Sequence, residues 1–534
     1  MASRDLPKNF SQLFGWVGHA KKEITIHKKQ EQLIEEDFQE DEDIPKVDRV
    51  RMKNLWPAFA SGAGLFSDGY VNNSISTVVF CLSKIYADEF TQSNAISNIG
   101  SIAFVGTVVG QLGFGYISDR IARKGGMMTA NVMLIVFTLL CAVATWGTSP
   151  FGLFAAITTF RFFLGIAIGA EYPTSSVIAS EFANMLPAGK RNRYFAWFTN
   201  TMIDLGFVIS SFVPLVLLWI FGENHLRVIW RLTIGLGVIP PSSLFFIRLR
   251  MKDSTSYQKL HMKKVGYKTF PWWLIVKFYW FRLSIISIIW FIYDFSAYSF
   301  GIYSSIIIDK IIPDAPLYQV WGWAVVFNLF YMPGAFLGAM FSDYLGPRLT
   351  LALGVGSQGI IGIIMSACLS QLREHVAGFV VVFGIFTTLG EFGPGDNIGL
   401  LASKTSATPI RGQYYGIAAA IGKIGAFVGT YVFPVIIRKY VNNPNPDLQL
   451  QVPFYISSCL CLFSAALALF FIPPVAQDAI NREDADFVEY LSKNGFDVTQ
   501  LGEHEEISSL DDSIEVVHDK EKHDAIVSVE QKTT

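Results

Sequence analysis

Charge is scarce in this chain. Asp, Glu, Lys and Arg make up 16% of its 534 residues, against about 25% in soluble domains. The shortage is local. Residues 1–53 and 474–534 are polar, and 35–43 reads EEDFQEDED, but between the two ends apolar stretches recur with few charges. That distribution excludes a string of soluble domains. Cysteine is also sparse: Cys81, Cys141, Cys368, Cys459 and Cys461 are all the chain has. None has the spacing of a metal site, and all lie in or beside apolar runs, so they read as small apolar side chains. No phosphate-binding glycine loop, nucleophile triad or metal cluster can be picked out. The expectation is no enzyme, no metal and no cofactor. The opening MASRDLPKNF has no apolar core of a cleaved signal, so the first span is expected to act as an uncleaved anchor.

What the chain does have is length in its apolar runs. They fall at 55–80, 97–118, 127–147, 151–172, 195–220 and 228–248, and after a break at 283–308, 319–341, 349–369, 377–401, 413–437 and 453–473. Each approaches the roughly 20 residues that cross a bilayer as a helix, the form in which a spanning segment satisfies its own backbone. The fold class is therefore an all-α membrane protein, with twelve transmembrane helices in two six-helix halves. The expected organisation is an N-terminal tail (1–53), a first bundle (54–248), a central loop (249–280), a second bundle (281–473) and a C-terminal tail (474–534).

Loop charges orient the spans. The segment RLRMKDSTSYQKLHMKKVGYKTF at 248–270 is strongly basic, and so is DRIARKGG at 119–126, whereas the loop around 83–96 carries Asp88 and Glu89. Basic loops stay cytoplasmic. With twelve spans this places both loops and both termini on that side. The basic centre suits topology and anionic lipid headgroups, not nucleic acid. The tails have the composition of disordered segments.

Two stretches echo each other. GQLGFGYISDRIARKGG (110–126) and GAFLGAMFSDYLGPRL (334–349) each end a glycine-rich helix in Ser-Asp, followed by arginine. Gly106, Gly110, Gly113 and Gly115 would let helices approach closely. Asp119 with Arg120, Arg123 and Lys124, and Asp343 with Arg348, are expected to latch the halves in one state, and Arg161 is expected among the gating residues. Recurrence in both halves is the mark of a duplicated transporter unit.

Ionisable groups inside the spans are costly and each needs a partner, a cavity or a proton. They are Asp68, Glu171, Asp204, Asp294, Glu391, Asp396 and Lys423. Trp290, Asp294 and Tyr298 are spaced i, i+4, i+8 and share one helix face, a face better suited to a cavity than to lipid. A carboxylate beside an anionic substrate would repel it, whereas a protonated one donates a hydrogen bond. GEFGPGDN at 390–397 interrupts its helix, and Glu391, Asp396 and Asn397 could receive a polar or cationic headgroup.

GYISDRIARKGG resembles the loop motif of the major facilitator superfamily, with Ala122 where glycine is usual. RFFLGIAIGAEYPTSSVIASE (161–181) is similar to the fourth helix of its phosphate:proton symporters, Arg161 and Gly165 matching Arg-x-x-x-Gly. GIAAAIGKIGAFVG (416–429) resembles their eleventh helix. LFSDGYVNNSI (65–75) and GEFGPGDN resemble the fungal glycerophosphodiester permeases. The resemblance covers about 55–475. It implies a major facilitator fold and proton-coupled import of glycerophosphocholine or glycerophosphoinositol across the plasma membrane by a functional monomer. It implies substrate contact by Tyr172, Trp290, Asp294, Tyr298 and Lys423, and proton handling by Asp68, Glu171 and Asp294. The fifth-helix glutamine of the phosphate importers is absent, its place taken by Asn200 or Thr201. An inorganic phosphate:proton symporter and a nutrient sensor that binds without transporting are the alternatives; a sugar carrier would not need Lys423.

Overall fold

The computed structural model describes Phe14, Val17, Ala20 and most of residues 52–501; positions 92, 122, 185–188, 251–256, 258–259, 263–264, 266–268, 313–314, 442, 446 and 476–478 in that range are not described. The acidic run at 35–43, Ala122 and most of the basic central loop therefore lie outside the described residues, as does the C-terminal tail beyond 501.

Eleven of the described helices are long and apolar enough to cross a membrane. They are α2 (Ala95–Arg120), α3 (Arg123–Ala142), α4 (Pro150–Ala183), α5 (Arg191–Phe221), α6 (Glu223–Arg248), α7 (Trp272–Ile302), α8 (Leu317–Tyr344), α9 (Pro347–Ala367), α10 (Val376–Lys404), α11 (Thr408–Lys439) and α12 (Leu448–Phe471). The remaining span, α1 (Met52–Ile85), is as long as α4, 34 residues each. Its apolar character is diluted by Ser67, Asp68, Asn72, Asn73, Ser74, Ser76 and Thr77, all buried against protein. The outward surface of the bundle is apolar, with Trp219 and Phe246 each 70% exposed, as a lipid-facing wall requires. Residues 272–280, read from sequence as the end of the central loop, are the first turns of α7.

Local rules explain the ends and the bends. Ser149 caps α4, its hydroxyl accepting the Gly152 N–H at 3.1 Å, and Pro150 fills the first turn, where no N–H is needed. Further along α4, Pro173 has no N–H to give to the preceding turn, and Tyr172–Ser176 widens into a π-turn. Pro394 does the same in α10, where Glu391–Gly395 is a π-turn. The two halves thus carry the same defect at matching places, each next to a glutamate.

Within the halves α2 packs on α4 and α7 on α11; between them α2 meets α11 and α5 meets α8. Glycine sets the close approach, because lipid gives no hydrophobic drive and backbone contact must supply the packing. A Cβ at Gly106 would strike the Phe162 carbonyl, and one at Gly110 the Ile166 carbonyl. Gly115 instead serves the contact between halves, its Cβ position 2.8 Å from the Gly412 carbonyl, while Gly113 faces open space. Across the same α2–α4 seam a Cβ at Gly165 would overlap the Ala103 carbonyl. Gly165→Val is therefore expected to cost at least the ~1–3 kcal/mol typical of overpacking, read as a lower melting temperature of detergent-solubilised protein. An unchanged melting temperature would show that the seam is loose.

The start of the C-terminal tail is folded, contrary to its compositional reading. Helix α13 (Ala479–Lys493) buries Ile480, Glu483, Phe487 and Leu491. Phe487 meets Phe278 and Tyr279, Glu483 pairs with Arg282 at 3.0 Å, and Asp484 accepts the Thr408 N–H at 2.6 Å. Burial pushes the Asp484 carboxyl up from the ordinary aspartate range, against the opposite pull of Arg411.

Candidate functional site

Between the halves lies a cavity lined by residues of both. It takes its shape from α7 and α11, which approach through Gly422 and Gly425; a Cβ on Gly422 would stand 3.1 Å from the Asp294 carboxylate. Trp290, Asp294 and Tyr298 all line it from α7, as their common helix face requires. Lys423, 1% exposed, donates to Asp294 at 2.8 Å and to the Tyr298 hydroxyl at 2.8 Å. Its ammonium is 4.0 Å from the Tyr298 ring centroid and 5.1 Å from that of Tyr172. The Tyr172 hydroxyl, delivered by the α4 π-turn, stands 3.5 Å from that of Tyr298. One cation with phenols around it is an anion-binding arrangement, presently closed on its own carboxylate.

Opposite in character is a second pole. Asn200 lines the cavity, and its amide donates to Glu391 at 3.0 Å, to Asp396 at 3.1 Å and to Asp204 at 3.4 Å. The Tyr293 hydroxyl donates to Glu391 at 2.7 Å. Phe207 and Tyr331 complete the wall. Sequence reading had Glu391 and Asp396 as places for a polar or cationic headgroup, and Asp204 only as an expensive charge. It missed Asp204 as a cavity residue, and Tyr293, Phe207, Tyr331 and Tyr415 entirely. The one available signal was Tyr293 beside Asp294; the others come together only through the packing of α5, α8, α10 and α11 around α7.

Two expected contacts are not there. Thr201 is buried but does not line the cavity, so Asn200 is the fifth-helix residue that does. Asn397 is turned into the protein, accepting from Ser342 and donating to the Gly393 carbonyl at 2.8 Å. Its amide is needed there because the π-turn frees carbonyls of α10.

Asp68 is buried, and neither carboxylate oxygen has a hydrogen-bond partner among the described residues. Glu171 is held by Arg248 at 2.6 and 3.0 Å, with the Ser175 hydroxyl also donating to it.

The latch residues meet at the end of the bundle that carries the two Ser-Asp motifs; Asp119 has its expected neighbour Arg123, whereas Asp343 has a different partner. Asp119 lies 3.6 Å from Arg123 and accepts the N–H groups of Gly412 and Gln413 at 2.9 and 2.7 Å, capping α11 of the other half. Arg123 pairs with Glu181 and donates to the Thr408 carbonyl at 3.0 Å; Arg411 of the second half reaches the same Glu181 at 3.4 Å. Arg120 binds the Met262 carbonyl at 2.9 Å. Asp343 pairs with Arg193 at the start of α5, at 3.0 Å, not with Arg348. Arg348 donates to the Leu469 and Ile472 carbonyls within its own half. Each motif aspartate therefore caps the first helix turn of the opposite half, where free N–H groups and the helix dipole favour a carboxylate. Arg161 stands apart from both cavity and latch: it is buried in α4, and its Nε and Nη2 find no acceptor among the described residues. At the far end the halves are joined by neutral groups, Asn73 with Asn328 at 3.3 Å and Ser76 with Ser305 at 3.2 Å, and by the partly exposed ion pair of Lys84 with Asp309 at 3.3 Å.

Two helical halves around a buried polar site, held together at both ends, define a multi-pass membrane carrier. Comparison with known proteins narrows this. The model of the family described as "Sugar (and other) transporter" matches residues 54–269 and again 266–482. The chain is 74% identical to the major glycerophosphoinositol permease of Candida albicans, over 94% of this chain and 95% of that one. It is 71% identical to the glycerophosphodiester transporter of the same organism (98% of each) and 68% identical to its glycerophosphocholine permease (100% of each). A probable inorganic phosphate transporter of Arabidopsis thaliana is more distant, 24% identical over 82% of this chain and 93% of that one. In fold it is similar to the proton:xylose symporter of the major facilitator superfamily solved with 6-bromo-6-deoxy-D-glucose, with a TM-score of 0.67 at 15% identity, covering 80% of this chain and 98% of that one. The chain belongs to the sugar (and other) transporter family of the major facilitator superfamily, among the fungal glycerophosphodiester permeases, and is a transporter, not an enzyme.

Proposed function

We propose that this chain imports glycerophosphodiesters together with protons across the plasma membrane by alternating access, as a monomer with both termini in the cytoplasm. The observation that carries the reading is Lys423: a buried cation closed on Asp294 inside a cavity, in a chain so similar to permeases of that name. The phosphodiester competes with Asp294 for the ammonium. Once the anion sits there, an ionised Asp294 would be a like charge at contact distance, so the anion and a proton on Asp294 are bound best together. When the site opens to the cytoplasm and Asp294 loses its proton, the carboxylate takes Lys423 back and the diester leaves. Tyr172, Trp290, Tyr298 and Asn200 position the substrate. Asp68 is a second proton acceptor, and Glu171 joins it only when its pair with Arg248 opens. The latch around Asp119, Arg123, Glu181 and Arg411, with Asp343 and Arg193, closes the cytoplasmic end and must break for release.

The test is uptake of radiolabelled glycerophosphodiesters by fungal cells lacking their own permeases, at acidic and neutral pH, with and without an uncoupler. Acid-stimulated, uncoupler-sensitive uptake is expected. Surface-located protein that carries inorganic phosphate instead, or binds diesters without moving them, would overturn the reading.

A further inference from the structure

The acidic pole of the cavity has no counter-charge of its own. Most buried acids of the bundle have a basic partner: Asp119 and Glu181 have Arg123, Glu171 has Arg248, Asp294 has Lys423, Asp343 has Arg193 and Glu483 has Arg282. Asp204, Glu391 and Asp396 have none among the described residues. They share the Asn200 amide, which has two N–H groups to give to three carboxylates. Asp396 is 1% exposed, lines the cavity, and its Oδ2 has no hydrogen-bond partner among the described residues. Bonded to one amide nitrogen, the three carboxylates crowd together. Buried like charges of this kind are stable only when a cation or protons join them.

The surrounding wall says which. Tyr293 donates to Glu391 at 2.7 Å, Tyr331 lines the same cavity, and Phe207 packs on Tyr331 with ring centroids 5.3 Å apart. Aromatic faces beside carboxylates are what a quaternary ammonium prefers: it has no N–H to donate, and it gains from ring quadrupoles and net negative charge. A bare proton needs no such wall. A polyol can donate hydroxyls to the same carboxylates, but being neutral it leaves their charge uncompensated.

We propose that Asp204, Glu391 and Asp396, with the rings of Phe207, Tyr293 and Tyr331, form the subsite for a quaternary-ammonium headgroup, while the phosphodiester sits on Lys423. The inference rests on the glycerophosphodiester reading and extends it. The cavity then has one pole for each charge of a zwitterion, and glycerophosphocholine is preferred over diesters with uncharged heads.

The probes are glycerophosphocholine, its isostere in which carbon replaces the ammonium nitrogen, and glycerophosphoinositol, each used to inhibit uptake of labelled glycerophosphocholine. Wild-type protein is expected to favour the choline ester over the isostere by about tenfold or more, as a desolvated cation–aromatic contact allows. Asp204→Asn and Asp396→Asn, each checked for surface expression, are expected to narrow that ratio. Equal inhibition by ester and isostere in the wild type, a measurement that needs no variant, would overturn the proposal. So would variants that weaken both in parallel, the result for a proton site or a structural cluster. If the wild type takes up neither diester but does take up inorganic phosphate, it is the glycerophosphodiester reading that has failed, and the headgroup subsite falls with it.

Discussion

Lys423→Ala is expected to abolish uptake. Lys423 is buried, bonded to Asp294 and Tyr298 at 2.8 Å each, and no other lysine or arginine lines the cavity among the described residues. Two effects add in this variant. The phosphodiester loses its cation, and Asp294 is left as an uncompensated charge at bilayer depth. Breaking a buried pair from one side costs about 3–5 kcal/mol, which as binding energy is at least about a hundredfold. The two effects can be separated. In the double variant Lys423→Ala/Asp294→Asn the orphan charge is gone, so thermal stability in detergent should recover most of what the single variant lost, while uptake stays absent. Near-normal uptake by the single variant would remove Lys423 from the site. Recovery of uptake in the double variant would reduce the pair to a structural one.

The second large effect is expected at the latch. Asp119 holds two N–H groups of α11 and lies beside Arg123, which pairs with the Glu181 that Arg411 reaches from the second half. Hydrogen bonds to an ionised acceptor are worth about 1.5–3 kcal/mol each, so Asp119→Ala should weaken the closed state by about 3 kcal/mol or more, roughly two decades in population. A cysteine placed at Ser176, which lines the cavity, should then react faster with a polar thiol reagent applied from the cytoplasmic side, and the uptake rate should fall. Asp343→Ala, which frees Arg193 instead, should act in the same direction. At the far end Asn73→Ala should shift the balance less, because the contact of Asn73 with Asn328 is between neutral amides and its loss releases no charge. A cysteine equally reactive with and without Asp119 would show that the latch does not set the resting state.

How far this site could be read in advance depends on the range of the contact. Span positions, the echo between halves and the Trp290, Asp294, Tyr298 face were legible because helical periodicity and hydropathy are local properties of the chain. Lys423 was legible by depth alone, since a lysine so far from either helix end cannot reach water by stretching. The π-turns had a visible cause in Pro173 and Pro394, each just after a glutamate. The α13 stripe of Ile480, Phe487 and Leu491 was also visible, but overall polarity hid it.

Pairing was another matter. Asp343 was matched to the arginine close by in sequence, Arg348; its partner is Arg193, 150 residues away. Asn200 joins Glu391 and Asp396 across 191 and 196 residues. Thr201, one position from Asn200, turns away from the cavity, because neighbours on a helix point about 100° apart. Local sequence determines which face of a helix is polar and how deep a charge sits, since both follow from rise and rotation per residue. Which polar face meets which is decided only when glycine seams set how closely and at what angle the twelve helices pack, and the acidic pole of this cavity exists only at that level.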